Sequence, residues 1–285
     1  MRKTNELPEL DKLFDEVGTY RSSADFRELL DFIKRFRRIA PYNAMLLHIQ
    51  EPGSAYVASA SDWRDRFHRR PKPGARPLII LRPFGPVAFV YELTDTEGEP
   101  FPQKIESPFF ADGIVPDSFL DKFSFNMFLN GISLTEQDYG TDSAGFIKVV
   151  NEQIERVDHN VIRNYLQPFS MVINRNMNNA GKLATIFHEL GHLYCGHLRN
   201  NRVKYLPKRY GLSLNQREFE AESVCWLLCE RQGISNPSAS YLSGYLDHND
   251  TIPNISIDTV VKAVGAIENI MKSESKTYKK ELIIK

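Results

Sequence analysis

Cysteine is scarce in this chain, with only three among 285 residues. Cys225 and Cys229 are spaced one helical turn apart, which would let them join a metal site, but no CxxC pair or paired Cys/His spacing accompanies them. An odd number of cysteines argues against a secreted protein held together by disulfides. We therefore expect buried free thiols.

Long apolar runs are also missing, because no stretch approaches the 18 residues that a membrane span requires. Residues 2–6 are polar or charged and no apolar core follows them, so we expect no signal peptide. Lys and Arg together number 36, as do Asp and Glu, and the 42% hydrophobic content is ordinary for globular chains. These features predict a cytoplasmic protein with no membrane partner.

The most informative motif is an HExxH sequence, His188-Glu189-Leu190-Gly191-His192, in a segment with helical character. Two histidines four residues apart lie about 40° apart around a helix, so both can bind one metal ion. Glu189 lies beside that face, where its carboxylate can accept a proton from water without being a ligand. The spacing predicts a site for metal-assisted hydrolysis.

An HExxH sequence also occurs by chance on solvated helix surfaces, so its surroundings matter. Apolar residues give this helix a broad side that can be buried: Leu183, Ile186, Phe187, Leu190 and Leu193. Residues 170–174 are typical of a short strand, and the polar turn 174–181 could start the helix. The flanking sequence therefore favours a buried functional helix.

A second helical segment, residues 217–228, offers the third ligand that a catalytic zinc site requires. Glu218, Ala221 and Glu222 share one of its faces, and the small Ala221 permits a close approach to the first helix. We predict Glu218 as the third ligand and Glu222 as an acceptor for the free N–H of a ligand histidine. A solvated acidic helix start would explain Glu218 and Glu220 almost as well.

His197 is not predicted as a ligand. The extended three-histidine pattern requires glycine and histidine at positions that Cys195 and Leu198 occupy. We expect Gly196 and His197 to end the helix instead, the glycine in a left-handed conformation and the histidine at the negative end of the helix dipole.

These motifs resemble a known family. HELGHLYCGH at 188–197, MVIN at 171–174 and ExxAE at 218–222 resemble the ImmA/IrrE zinc metallopeptidases, and equally the C-terminal domain of ArdC-type antirestriction proteins. The resemblance covers about residues 145–250, and the three motifs occur in the family's order.

The resemblance implies a gluzincin-like site. In it, Zn²⁺ is bound by His188, His192 and Glu218, and Glu189 is the catalytic base. Many members of these families have Asn or Asp at the position of Glu222, so the choice between Glu218 and Glu222 as ligand stays open.

Basic residues cluster in the N-terminal part. Seven lie from Arg64 to Arg82 against the single acid Asp65, and a second cluster, residues 34–38, lies in a helix predicted over about residues 25–50. Basic side chains can contact phosphates and aromatic rings can stack on bases, which is typical of single-strand binding, although a solvated basic face would also explain the composition. The candidate nucleic-acid contacts are Trp63, Arg64, Arg66, Arg69, Arg70 and Lys72.

The same part resembles the N-terminal single-stranded-DNA-binding domain of ArdC-type proteins over about residues 20–95. The resemblance rests on Asn43, Gln50, Trp63, the turn 72–74 and the strand 78–81. It implies single-stranded DNA as a partner. From the residues alone we predict a turn at 71–74 and a hairpin that joins 78–81 to 87–93.

Together these pieces predict an α+β protein. An ArdC-like α+β module (1–98) is followed by an ordered insert (99–144) and by a mostly helical, zincin-like metallopeptidase domain with a small sheet (145–285).

Two functional hypotheses follow from the sequence. The first is a zinc endopeptidase that cleaves a regulatory or DNA-binding protein, for example a transcriptional regulator, in an antirestriction, phage-defence or stress-response context. Its peptide substrate would lie along residues 171–174, and Tyr194, Tyr205 or Tyr241 would stabilise the oxyanion. The alternative is a single-stranded-DNA-binding antirestriction-type protein whose zinc site is structural or only weakly active.

Overall fold

The computed structural model describes residues 23–36, 39–82, 85–101, 114–138, 144–158, 161–200, 203–234 and 253–274. The chain divides into two compact units, Met1–Pro108 and Phe109–Lys285. Each contains helices and small sheets, so the predicted α+β class is confirmed. No helix in the described ranges is long and apolar enough to cross a membrane.

In the described residues, the first unit combines three helices with two small sheets. The elements are α1 (Ser23–Arg35), α2 (Pro41–Gln50), β1 (Val57–Ala58), α3 (Ala60–Phe67), β2 (Arg69–Pro71), β3 (Leu78–Arg82), β4 (Gly85–Glu92), a 3₁₀ turn (Leu93–Asp95) and β5 (Thr96–Gly98). One sheet has the order β1-β4-β3, and β2 pairs with β5 in the other. β3 and β4 are antiparallel, which confirms the predicted hairpin.

The single helix predicted over residues 25–50 is wrong, because two helices occupy this range. Pro41 is the first residue of α2, and Ala40 before it is extended, with φ −54° and ψ 138°. Proline lacks an N–H, and its ring disfavours a helical conformation at the preceding residue. The proline therefore starts α2.

Two side chains of α2 bind the backbone of β3 as another strand would. The Asn43 side chain donates to the Leu81 carbonyl at 3.0 Å and accepts from the Leu81 N–H at 2.9 Å. Gln50 does the same with Ile79, at 2.8 Å in both directions. These amides satisfy backbone groups on an edge strand. Two residues that carry the ArdC-like resemblance thus have a structural role.

In the described residues, the second unit combines four helices with a three-stranded sheet, and one of these helices carries the HExxH segment. The elements are α4 (Asp117–Leu129), β6 (Ile132–Gln137), β7 (Gly145–Asp158), β8 (Val161–Asn174), α5 (Asn179–Tyr194), α6 (Leu214–Gln232) and α7 (Ile257–Lys272). β8 lies at the centre of the sheet, parallel to β6 and antiparallel to β7. The segment predicted as an insert, 99–144, thus contributes β6 to the sheet of this unit.

Local signals fix the ends of α5, which carries the motif. The Asn178 side chain accepts a hydrogen bond from the Gly181 N–H at 2.8 Å and caps the first turn. After the last turn, Gly196 has φ +80°, as predicted for a helix-ending glycine. The helix therefore begins and ends where its sequence dictates.

The helices α5, α6 and α7 pack against one another through apolar residues. Among those with no exposed surface are Phe187, Leu190, Phe219, Val224, Leu227, Val264 and Ile267. Cys225 and Cys229 are buried thiols that form no disulfide, as predicted. This core fixes the position of the motif helix relative to α6.

Candidate metal centre

His188 and His192 project from the same face of α5. Their Nε2 atoms lie 3.1 Å apart. Both rings are partly buried, with 20% and 15% of their side chains exposed. The helical spacing therefore brings both nitrogens to one point, as predicted.

Helix α6 brings Glu218 to the same point. Its Oε2 lies 3.6 Å from the His188 Nε2 and 3.5 Å from the His192 Nε2. The helices approach closely because Gly191 faces Ala221; a Cβ added at Gly191 would lie 3.0 Å from both the Cα and the carbonyl oxygen of Ala221. His188, His192 and Glu218 form a cluster that could hold one metal ion.

Glu222 lies behind His188 rather than within this cluster. Its Oε1 is 3.2 Å from the His188 Nδ1, the nitrogen that faces away from the cluster. The other oxygen, Oε2, is buried and has no hydrogen-bond partner in the described part of the chain. Glu218, and not Glu222, therefore lies with the two Nε2 atoms, and its role as the third ligand stays a prediction.

The hydrogen bonds behind the histidines indicate which nitrogen is free for a metal. If the His188 Nδ1 donates its proton to Glu222, the neutral ring presents a lone pair at Nε2. In a neutral His192, a proton on Nδ1, which faces His197, likewise leaves Nε2 free. Two nitrogen lone pairs and a carboxylate then converge, and such a set suits a zinc ion.

The pKa values in this cluster also indicate an affinity for positive charge. Burial lowers the pKa of His188, but hydrogen bonds to Glu218 and Glu222 outweigh it and raise the pKa to about 10. Hydrogen bonds from His188 and His192 hold the pKa of Glu218 well below its usual range. The carboxylates therefore stabilise a cation here, whether a proton or a metal ion.

Glu189 is buried beside the cluster, with 9% of its surface exposed. Burial raises the pKa of its carboxyl group, against the opposing effects of His188, His192 and a hydrogen bond from the Ile147 N–H of β7. A carboxylate with a raised pKa is a better proton acceptor near neutral pH. Glu189 thus has the environment of a general base.

The predicted path of a peptide along residues 171–174 is wrong. These residues belong to β8, whose two sides pair with β6 and β7. No backbone edge there remains for a peptide to join. Among the described strands of this sheet, β7 lies at an edge, and its Ile147 N–H points to Glu189.

Sequence reasoning missed the residues behind His192. The His192 Nδ1 lies 3.0 Å from the His197 Nδ1, and the His197 Nε2 lies 2.9 Å from the Glu220 Oε2. Arg209 donates to both Glu220 oxygens, at 2.5 and 2.6 Å. We call His197, Glu220 and Arg209 the relay.

The interpretation of Glu220 as part of a solvated helix start is therefore wrong, because its side chain has no exposed surface. Burial raises the pKa of its carboxyl group, but hydrogen bonds from His197, Arg209 and the Ser256 N–H hold that pKa below its usual range. One signal was available in the sequence. Glu220 lies in helical register with Val224 and Leu227, which are buried.

The structure describes two of the three tyrosines considered for the oxyanion, Tyr194 and Tyr205. Tyr205 donates to the Asn130 carbonyl at 3.3 Å. Tyr194 and Tyr205 line a cavity of about 590 Å³ beside α7. Tyr241 lies outside the described residues.

In the first unit, Trp63 cannot be a stacking platform for a base, so this prediction is wrong. Its ring has no exposed surface, and its Nε1 donates to the Tyr91 carbonyl at 2.9 Å. Tyr56, Phe67 and Phe101 surround it at centroid distances of 5.3 to 5.6 Å. The tryptophan belongs to the core of this unit.

The predicted basic contacts fall into two groups. Arg69 donates to the side chain and the carbonyl of Thr96, and Lys72 donates to the Thr94 carbonyl at 2.7 Å, so both hold the backbone in place. The other three project from α3 and β2 into solvent: Arg64, Arg66 and Arg70. Acidic neighbours pair with two of them, Asp65 with Arg64 and Glu97 with Arg70.

No protein family model matches the chain, and no curated protein matches its sequence. Among solved structures, it is similar to the antirestriction protein ArdC from the R388 plasmid, in a metal-free structure. The two chains are 14% identical, 80% of this chain and 81% of that chain are covered, and the TM-score is 0.34. Function is therefore inferred from the geometry of the site alone.

Proposed function

We propose that this protein is a zinc-dependent endopeptidase. One observation carries the proposal: two histidine nitrogens and a glutamate oxygen meet on one side of a helix, within 3.6 Å of one another, beside a buried carboxylate of raised pKa. A metal ligand set next to a general base is what peptide-bond hydrolysis requires.

The residues divide the work between binding and proton transfer. A zinc ion bound by His188, His192 and Glu218 would polarise a peptide carbonyl and acidify water. Glu189 accepts the proton of the attacking water and passes it to the leaving amine nitrogen. The peptide substrate pairs with β7, whose edge lies beside Glu189, and the substrate protein is a regulatory or DNA-binding protein.

The number of ligands supports a catalytic site over a structural one. Structural zinc sites are closed by four protein ligands, whereas catalytic sites use three and leave a position for water. The cluster has three members among the described residues, and Glu222 is engaged with the far nitrogen of His188. A structural site would also not need the buried Glu189.

The test of the metal site is zinc content in single alanine variants. We expect about one zinc per chain in the wild type and loss of zinc in His188→Ala, His192→Ala and Glu218→Ala. Glu222→Ala should keep zinc with an affinity lower by about 10- to 100-fold, because it removes only a support of His188. Full retention of zinc by His192→Ala would refute the site. Loss of zinc in Glu222→Ala but not in Glu218→Ala would make Glu222 the ligand and Glu218 the supporting residue.

The test of catalysis is Glu189→Gln, which should keep zinc and fold but lose hydrolysis by about a hundredfold or more. Proteins retained by this variant are identified and then exposed to the wild type, which should cut at least one of them. His192→Ala is the matched control and should cut none. Equal cleavage by Glu189→Gln and the wild type would rule out the mechanism.

A second candidate function is the binding of single-stranded DNA by the first unit. The exposed guanidinium groups of Arg64, Arg66 and Arg70 favour it, since phosphate contacts need exposed positive charge. In this alternative the protein is antirestriction-like, and its zinc site is structural or weakly active. DNA binding by the first unit would also be compatible with peptidase activity, because the residues concerned lie in different units.

A further inference from the structure

We propose that His197, supported by Glu220 and Arg209, is a positioning residue that fixes the ring of His192 for metal binding. The proposal rests on the zinc site proposed above and extends it beyond the ligands and the base. None of the three relay residues belongs to the cluster of His188, His192 and Glu218, so the relay acts through His192.

The direction of the hydrogen bonds follows from the two ends of the relay. Glu220 is fully buried and ionised between Arg209 and the Ser256 N–H, so it can only accept from His197. The His197 Nε2 therefore carries the proton, and in a neutral ring the Nδ1 is an acceptor. That acceptor receives the Nδ1 proton of His192, which leaves the His192 Nε2 free to bind a metal.

The relay also holds the orientation of the His192 ring. His197 is 5% exposed and follows directly after Gly196, whose left-handed conformation turns the chain back toward α5. The backbone N–H of His197 donates to the His192 carbonyl at 3.0 Å. Both the backbone and the ring of His197 are therefore hydrogen-bonded to His192. Metal-binding histidines are generally oriented in this way by a partner on their other nitrogen.

Arg209 makes the buried carboxylate possible. An unpaired charge at Glu220 would be costly to bury, and the Arg209 guanidinium neutralises it. Arg209 is in turn held at the end of α5, because its N–H donates to the Gly196 carbonyl at 3.0 Å and its side chain reaches the Cys195 carbonyl at 3.3 Å. The connection between α5 and α6 thus supplies the last member of the relay.

Cys195, His197 and Glu220 could instead be regarded as a second metal site, since their ligand atoms lie within 4.8 Å of one another. Four hydrogen bonds already occupy the two Glu220 oxygens: one from His197, two from Arg209 and one from Ser256. The Arg209 cation would also repel a metal ion. The cluster is therefore a support for His192.

The experiment compares zinc affinity and the visible absorption of the Co²⁺-substituted protein in the wild type and three variants. His197→Leu removes both hydrogen bonds and should weaken zinc binding by about 10- to 100-fold and alter the Co²⁺ bands. His197→Asn keeps an acceptor near the Nδ1 position and should recover part of the loss. Cys195→Ala changes the same buried cluster without touching His192, and should retain the wild-type affinity and spectrum.

Each outcome decides between the alternatives. Wild-type affinity and spectrum in His197→Leu would overturn the relay, and so would equal losses in His197→Asn and His197→Leu, because packing would then be the cause. Should His197→Leu fail to fold, as judged by circular dichroism, the zinc affinity and Co²⁺ spectrum of His197→Asn are compared with those of Cys195→Ala. If the wild type bound two metal ions and Cys195→Ala bound one, the relay would instead be a second metal site. If the wild type bound no zinc, the proposed metal site itself would be refuted.

Discussion

Each of the two histidines that would bind zinc uses one ring nitrogen for the metal cluster and the other for support. His188 is supported directly by Glu222, and His192 is supported through His197 by Glu220. Both supports end in a carboxylate, which makes the ring more basic and fixes its orientation. The difference between the two is burial: Glu220 has no exposed surface and needs Arg209, while 16% of the Glu222 side chain is exposed.

The raised pKa of His188 predicts how the zinc-free protein responds to pH. Between an unfolded pKa of 6.5 and a folded pKa of about 10, the folded state holds one proton more than the unfolded state. This contribution to stability is complete below pH 6.5 and is lost as pH rises toward 10. From this group, the free energy of unfolding should fall by about 1.4 kcal/mol per pH unit in that range.

The measurement is denaturant unfolding at several pH values in the presence of a metal chelator. His188→Asn is the control, because it removes the titrating group and should show a correspondingly flatter pH dependence. Parallel profiles for the two proteins above pH 6.5 would show that the protonated His188 does not stabilise the fold.

At the scale of elements, the site depends on how closely α5 and α6 approach. Gly191→Leu would place a side chain where even a Cβ meets the backbone of Ala221 at 3.0 Å. We expect a loss of about 1–3 kcal/mol in unfolding free energy from overpacking. Zinc affinity should fall as well, since Glu218 moves away from His188 and His192.

Gly211→Leu is the matched control, because nothing lies within 4 Å of a Cβ at this exposed position. Chemical unfolding and zinc competition with a chelator measure the two effects. If Gly191→Leu kept both the stability and the zinc affinity of Gly211→Leu, the close contact between the helices would not be what positions Glu218.

Local periodicity predicted the elements that carry the site but not their assembly. The i, i+4 spacing of the histidines, the helix face of Glu218 and the helix-ending Gly196 are short-range features. The structure brings His188, His192 and Glu218 together as expected. The order β6-β8-β7 is a long-range property, so the sequence of β8 alone could not reveal that both its sides are paired. The relay joins residues 11 to 23 positions apart, beyond the reach of helical spacing.

Burial explains the error at Trp63. An aromatic residue within a basic segment has the same pattern whether it stacks on a base or fills a core. The neighbouring rings that enclose it come from Tyr56, Phe67 and Phe101, and the last of these is remote in sequence. Phe67 also lies within the basic run from Arg64 to Arg82, and its ring packs on Trp63.

At the scale of the whole molecule, the candidate metal centre lies in the second unit and the exposed arginines lie in the first. Changes in one set should therefore leave the function of the other intact. We predict that the protein binds single-stranded oligonucleotides with little sequence preference through Arg64, Arg66 and Arg70. Affinity should fall with salt, with a slope of about −0.7 in log units for each phosphate contact.

Reversal of these three charges to Glu should weaken binding by at least tenfold and reduce the salt slope, while zinc content stays at the wild-type level. The matched control reverses three exposed lysines of the second unit, Lys122, Lys204 and Lys208, which changes the net charge by the same amount. Gel retardation at low ionic strength, with circular dichroism to check folding, gives the comparison. Equal weakening in both triple variants would mean that net charge alone attracts the oligonucleotide. If the wild type itself caused no retardation, DNA binding would be refuted. The first unit would then be expected to recruit or restrain the substrate of the second.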